Sequence, residues 1–223
     1  MAPSEPLPNH PRTDHPHRHV VGDCVAARVC VVSGRGVVSA QMERSWAMPS
    51  RWTFTILPII RLLKVEIGAG ENWADPFAGE NSPATETNDL NPARPTKYHM
   101  QAIDFLKSLP SESMDGVLFD PPYSPRQIKE CYDEIGLELS QVDTQATFWT
   151  ACKDEIARVV KPGGKVICFG WNSQGMGMSR GYKLDKLLLV PHGGMHNDTI
   201  VTVEHSVSVS LFHMSDVDSA EVA

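Results

Sequence analysis

The chain has 223 residues, of which 41% are hydrophobic and 21% charged, a balance that suits one globular α/β domain with some tail. Its formal net charge of −7 excludes a broad basic surface that grips nucleic acid by charge alone, though a local basic groove remains compatible with it. Five cysteines (24, 30, 131, 152 and 168) form an odd set without a Cys-x-x-Cys pair, so neither a disulfide frame nor a zinc site is expected, and no metal. No apolar run approaches the roughly 18 residues of a membrane span. Met1 to Pro11 is polar and proline-rich, unlike a signal peptide, and a cytoplasmic protein is expected.

Residues 1–47 read as a disordered N-terminal extension. His10, His15, His17 and His19 sit among prolines and arginines, but no cysteine or acid keeps regular spacing with them, which disfavours a metal tract. Val20 to Val38 is richer in valine and is compatible with a loose hairpin around Ser33-Gly34-Arg35-Gly36. The composition shifts near Met48. The functional domain is therefore expected over 48–206, with a flexible acidic tail at 207–223, and a chain beginning at Met48 is expected to behave like the whole.

Trp52 to Val65 starts with strand-like alternation; Pro58 then suits the first turn of a short helix with Ile59, Leu62 and Leu63 on one face. Trp73 runs as a short strand into Asp75-Pro-Phe-Ala-Gly79, where glycine permits a tight bend and a close approach to a ligand. Asp89 follows in Thr87-Asn-Asp-Leu-Asn-Pro92 and is a candidate to take both hydroxyls of a ribose. Tyr98 to Leu106 reads as a strand ending at Asp104, then a brief helix to Leu109.

Val117-Leu-Phe-Asp-Pro-Pro-Tyr123 is the most informative stretch. Three apolar residues make a buried strand, and proline cannot donate to a sheet ladder, so the strand stops at Asp120. Asp120 and Tyr123 are thereby held on a stiff turn at a strand's carboxyl end, the ligand-binding edge of an open α/β sheet. Two amphipathic helices follow, over 126–135 with Gly136 as its stop, and over 144–160 ended by Lys161-Pro-Gly-Gly164. Lys165 to Gly170 reads as a buried strand, Trp171 to Arg180 as a Gly- and Met-rich loop, and Lys186–Val190 and Thr199–Glu204 as strands joined by a tip carrying surface histidines His192 and His196.

The alternation of strands and helices implies an α/β, mostly parallel doubly wound sheet, closed by an antiparallel hairpin strand at its C-terminal end. Asp75-Pro-Phe-Ala-Gly79, Asp120-Pro-Pro-Tyr123 and Lys161-Pro-Gly-Gly164, in that order, resemble the S-adenosylmethionine-dependent amino-methyltransferases of DNA, most of all small phage-type adenine-N6 methylases, over roughly residues 52 to 205. The resemblance implies a Rossmann-like class I methyltransferase fold, S-adenosyl-L-methionine as cofactor and DNA with a flipped adenine as partner. It implies that Asp75, Phe77 and Gly79 line the methionine end of the cofactor, that Asp89 holds the ribose, and that Asp104 and Phe105 meet the adenine. Asp120, Pro121, Pro122 and Tyr123 would hold and methylate the target base. Arg126 and Gln127 directly follow that turn and are candidate substrate contacts, Arg126 to a phosphate, with a solvated helix start as the alternative. Methylation of cytosine N4, methylation of adenine in RNA, and non-catalytic nucleic-acid binding are the alternatives. Two departures stand out: Asn81 replaces a second glycine, and only about ten residues separate Gly79 from Asp89, short for a crossover helix. No separate recognition domain is present, so specificity is expected to be short or relaxed, or supplied by a second copy or another partner.

Overall fold

The computed structural model describes residues 25–33, 36–68, 72–138 and 146–207, with backbone alone for 25–39 and 146. The His-rich tract and the acidic tail after Val207 lie outside the described residues. Eight strands form one sheet: β1 (Val25–Ser33), β2 (Gly36–Arg44), β3 (Trp73–Asp75), β4 (Glu86–Thr87), β5 (Met114–Phe119), β6 (Val160–Gly170), β7 (Tyr182–Val190) and β8 (Thr199–Ser206). Their order across the sheet is β1-β2-β7-β8-β6-β5-β3-β4. The run β6-β5-β3-β4 is parallel throughout, and β8 inserts antiparallel between β6 and β7. This is the mostly parallel doubly wound sheet that the sequence leads one to expect, closing antiparallel hairpin included.

The central strands are buried on both faces, which is why they read as continuous apolar runs rather than as alternation. Val117 and Phe119 of β5 and Val166 and Cys168 of β6 face α2 (Ala102–Ser108) and α4 (Ala146–Val159), packing on Phe105, Leu106, Cys152 and Ile156. Leu118, Ile167 and Phe169 point the other way, onto Ile59 and Leu63 of α1 (Leu57–Ile67). Pro58 sits in the first turn of α1, where its missing N–H costs nothing. Gly116 leaves room for the Trp73 ring, which lies within 2.5 Å of where a Cβ would stand. Glu66, buried on α1, is bound by Lys165 of β6 and Lys186 of β7. Burial would raise its carboxyl, but the two ammonium groups outweigh that and hold it below the usual range.

Several expectations need correction. The alternation at Trp52 to Thr55 belongs to a single 3₁₀ turn, Thr53–Thr55, not to a strand. Tyr98 makes only an isolated bridge to Asn88, and α2 starts at Ala102, so no strand reaches Asp104. The cause is local: the buried Asn88 side chain accepts from Met100 N and donates to Pro76 O and Met100 O, taking over backbone bonds that a strand would have made. Lys161–Gly164 does not end α4 but bulges within β6: Met114 pairs with Val160 and Gly116 with Lys165, and Gly163 takes φ +76° to make the detour. His192 is buried, not at the surface, with Nδ1 3.0 Å from Ala47 O and Nε2 2.9 Å from Thr199 Oγ1.

The hairpin β1–β2 lies inside the segment expected to be disordered. Gln41–Arg44 pair in parallel with Lys186–Leu189 of β7, Ser45 N donates to Leu189 O and Ala47 N to Pro191 O. The sheet therefore extends upstream of residue 48. A chain beginning at Met48 is expected to lose these bonds and bare the β7 edge. At about 1 kcal/mol net per hydrogen bond, melting should fall by several degrees, with self-association visible by size-exclusion chromatography. Full-length melting and a monodisperse peak would show the hairpin to be dispensable.

Candidate active site

Two cavities open at the carboxyl ends of the parallel strands, and one wall separates them. The first, of about 930 Å³, lies between the Pro76–Asn81 bend, the Asp89–Arg94 loop and α3 (Pro125–Glu134). The second, of about 830 Å³, lies between α4, β6, β7 and the loop after Gly170. Pro121, Pro122, Tyr123 and Trp149 line both.

The dividing wall follows from the sequence of the turn. β5 ends at Phe119 and the prolines prevent further pairing, so Asp120 emerges at the sheet edge. Asp120 is half-buried and faces the first cavity, with protein atoms packed closely around its carboxylate. It accepts a hydrogen bond from the Tyr123 hydroxyl, and Thr53 hydrogen-bonds to it as well. Burial pushes its carboxyl up to about 7, only partly offset by Thr53. The turn is braced from α3: Ser124 caps the helix by accepting from Gln127 N at 3.2 Å, and Gln127 Oε1 accepts from Tyr123 N at 2.8 Å. Gln127 is thus a positioning residue for Tyr123 as well as part of the first cavity's wall. Arg126 is almost wholly exposed, paired with Glu130 at 2.8 Å, and lines neither cavity.

The short connection from β3 to β4 forms the first cavity without any crossover helix. Pro76 to Thr85 is turns and irregular loop, and a chain of short bonds ties it down: Ala78 N to Asn88 O, Asn88 N to Asp75 O, and Gly79 N to Asp89 Oδ2 at 3.1 Å. Gly79 takes φ +56°, and a Cβ there would sit 3.0 Å from the Trp52 ring, so glycine is required twice over. Asn81 lines the cavity but does not supply a left-handed bend, since Glu112 alone among the described non-glycine residues has positive φ.

Three of the carboxyl groups around this cavity, those of Asp75, Asp89 and Asp120, are raised by burial. Asp89 lines it, and burial raises its carboxyl against the bonds it accepts from Asn91 N and Gly79 N. Asp75 is fully buried behind the bend, accepting from Phe77 N at 2.9 Å and from the Ser82 hydroxyl at 2.6 Å. Burial pushes it up to about 7, and the charges of Asp120 and Asp89 push the same way. Asp75 therefore shapes the bend and does not line the cavity, contrary to expectation. Phe77 does line it, stacked edgewise on Phe119 at 5.8 Å and tilted on Trp149 at 5.8 Å. Asp104 is exposed on α2, and Phe105 is sealed in the core against Tyr98; neither reaches the cavity, because α2 begins before them. Gln101 and Ala102 stand there instead.

Sequence reasoning missed the mouth of the first cavity. Arg94 bonds Glu80 and Glu134, each at 2.7 Å, and lies 4.9 Å over the Trp52 ring, so it ties the bend to α3. It also missed Trp171, whose ring is 5.7 Å from Tyr123 at 52°, on the second cavity's side. Alternate acids and arginines in loops carry no periodic signal, whereas an aromatic residue directly after a buried strand is a signal that was there to be read.

The sequence matches no protein-family model and no curated protein. Among solved structures, the chain is similar to 1,6-didemethyltoxoflavin-N1-methyltransferase of Burkholderia thailandensis, crystallised with its substrate and S-adenosylhomocysteine. That match has a TM-score of 0.47 at 10% identity and covers 67% of this chain and 77% of that one. TrmN of Thermus thermophilus matches with a TM-score of 0.43 at 16% identity, over 68% of this chain and 49% of that one. The N-methyltransferase NodS of Bradyrhizobium japonicum with S-adenosylhomocysteine matches with 0.42 at 13% identity, over 66% and 84%.

Proposed function

We propose that this protein transfers a methyl group from S-adenosyl-L-methionine to the exocyclic amine of a nucleobase, adenine N6 in DNA in the first instance. The observation that carries this reading is that Pro121, Pro122 and Tyr123 line two cavities at one sheet edge, with Asp120 beside them in the first. A donor on one side and an acceptor on the other would meet across it.

The first cavity fits the cofactor chemically. Five acids among its described lining residues (Asp89, Asp120, Glu130, Asp133 and Glu134) face two arginines, Arg51 and Arg94, and both arginines are engaged with Glu134. Such an excess of carboxylate, part of it held up in pKa by burial, favours a cationic ligand. A sulfonium is one, and when bound it supplies an activated methyl group. Asp89, at the Gly79 bend, is the ribose-binding candidate among these acids.

The acceptor chemistry belongs to the turn. An exocyclic amine is a poor nucleophile because its lone pair spreads into the ring. Hydrogen bonds from the amine to the Asp120 carboxylate and the Pro121 carbonyl keep electron density on nitrogen as the methyl arrives. The two prolines fix both acceptors, so catalysis is mostly positioning. The Tyr123 hydroxyl, which now occupies Asp120, must yield that place to the amine.

Incubation with labelled cofactor and DNA or RNA, followed by nucleoside mass spectrometry, tests the reading. N6-methyladenine in DNA is expected. N4-methylcytosine, or methyladenine confined to RNA, would move the substrate and keep the chemistry. Cofactor binding without any methylated nucleoside would reject catalysis on nucleic acid.

A further inference from the structure

The two cavities have opposite charge. Against the acidic first cavity, the charged lining of the second among the described residues is Lys153, Arg180, Lys183 and Glu204. The single acid is already spent: buried Glu204 accepts from Met176 N and, at 3.0 Å, from Gly177 N. Lys153 is spent too, donating to Gln174 O at 3.1 Å and Gly175 O at 2.6 Å. Arg180 holds Asp154 through Nε at 2.7 Å. Lys183 enters no ion pair with the described residues and faces the same space. The net character is cationic, in a protein of net charge −7.

The second cavity also carries an exposed aromatic ring. Trp171 is 42% exposed although its ring lies against Tyr123, because β6 ends at Gly170 and projects it past the sheet edge. Two tilted rings forming a corner, with a cation in the same cavity, make a complement to a flat base bearing a phosphate. A base–aromatic contact tolerates any base because every base has a π-face, and the phosphate contact depends on charge alone.

We infer that the second cavity receives the target nucleotide, its base stacked in the Tyr123–Trp171 corner and its phosphate drawn to Lys183 and Arg180. The inference rests on the methyltransferase reading of the first cavity, and it moves the charged substrate contact from Arg126 to Lys183. Trp171 then holds the base against Pro121-Pro-Tyr123, with its amine directed past them toward Asp120 on the first cavity's side. Nucleic acid approaches over β7 and the 171–180 loop rather than over α3.

The test is anisotropy of a short fluorescein-labelled single-stranded DNA across a salt series, beside calorimetry with S-adenosylhomocysteine. Trp171→Ala is expected to weaken DNA binding about tenfold with no change in salt slope, and Trp171→Phe to restore most of it. Lys183→Gln is expected to reduce the salt slope by about one unit. Cofactor affinity should stay unchanged in all three, since none of these positions lines the first cavity. DNA binding unaltered in Trp171→Ala, a salt slope unaltered in Lys183→Gln, or no DNA binding by the unmodified protein would overturn the inference. Loss of S-adenosylhomocysteine binding in the unmodified protein would instead reject the cofactor reading, whatever the DNA result.

Discussion

Asp120→Ala is expected to lower methyl transfer by at least about 10²–10³-fold, the scale for removing one preorganised hydrogen-bonding group from a site. Its fold should survive, because the carboxylate opposes stability where it stands. Burial raises Asp120 from 3.8 to about 7, so between those values the native state keeps a proton that the unfolded chain has released. Stability therefore falls as pH rises from about 4 to about 7 and stays lower above that. Asp120→Asn removes the titration. It should melt higher than the unmodified protein at pH 8, with a gain of order 2–4 kcal/mol, and the two should converge near pH 4. Activity runs the opposite way: the amine needs the ionised carboxylate, so kcat/KM should climb through about pH 7. A variant that turns over normally, or an activity profile that falls across neutral pH, would remove Asp120 from the chemistry. The opposite trends of stability and rate at one residue are the signature of a group kept for function.

Glu204→Ala should give the largest loss of stability. Its two carboxylate oxygens hold the Met176 and Gly177 amides, and Gly175 lies so close that any Cβ there would overlap the carboxylate. Hydrogen bonds to a charged group are worth about 1.5–3 kcal/mol each, so the loss should be about 3–5 kcal/mol. Amide exchange at Met176 and Gly177 should quicken more than elsewhere, because the 171–177 loop loses its anchor. Glu204→Gln keeps one acceptor and should fall between the two. Unchanged exchange at both amides would show that the loop is held by other contacts, such as Lys153.

The strand-turn unit Val117–Tyr123 was legible because two signals coincide there, an apolar run and a pair of prolines that forbids its continuation. The closing hairpin and the Gly136 stop of α3, with φ +67°, were legible for similar reasons. Gln127 was singled out as a substrate contact, yet Ser124-Pro-Arg-Gln127 has the spacing of a capping box, and its side chain serves the turn. Asp104 was misplaced because Asn88, far from it in sequence, consumes the backbone bonds of the Met100 segment. No local pattern announces a side chain that substitutes for a strand. The β1–β2 hairpin was legible in its valine-rich alternation, but its place in the sheet was not, because its partner β7 begins almost 140 residues after it ends.

That separation has a consequence for how the molecule comes into being. During synthesis from the N-terminus, β2 can pair with β1 at once, but its other edge has nothing to join until Lys186–Leu189 has followed it. Contacts so distant in sequence are late and slow to form, since the loop between them must be closed first. Through that interval a valine-rich hairpin keeps the β7-facing edge of β2 unpaired and open to other nascent chains. Yield in cells should therefore respond to chaperone supply and growth temperature more steeply than the stability of the finished sheet would suggest.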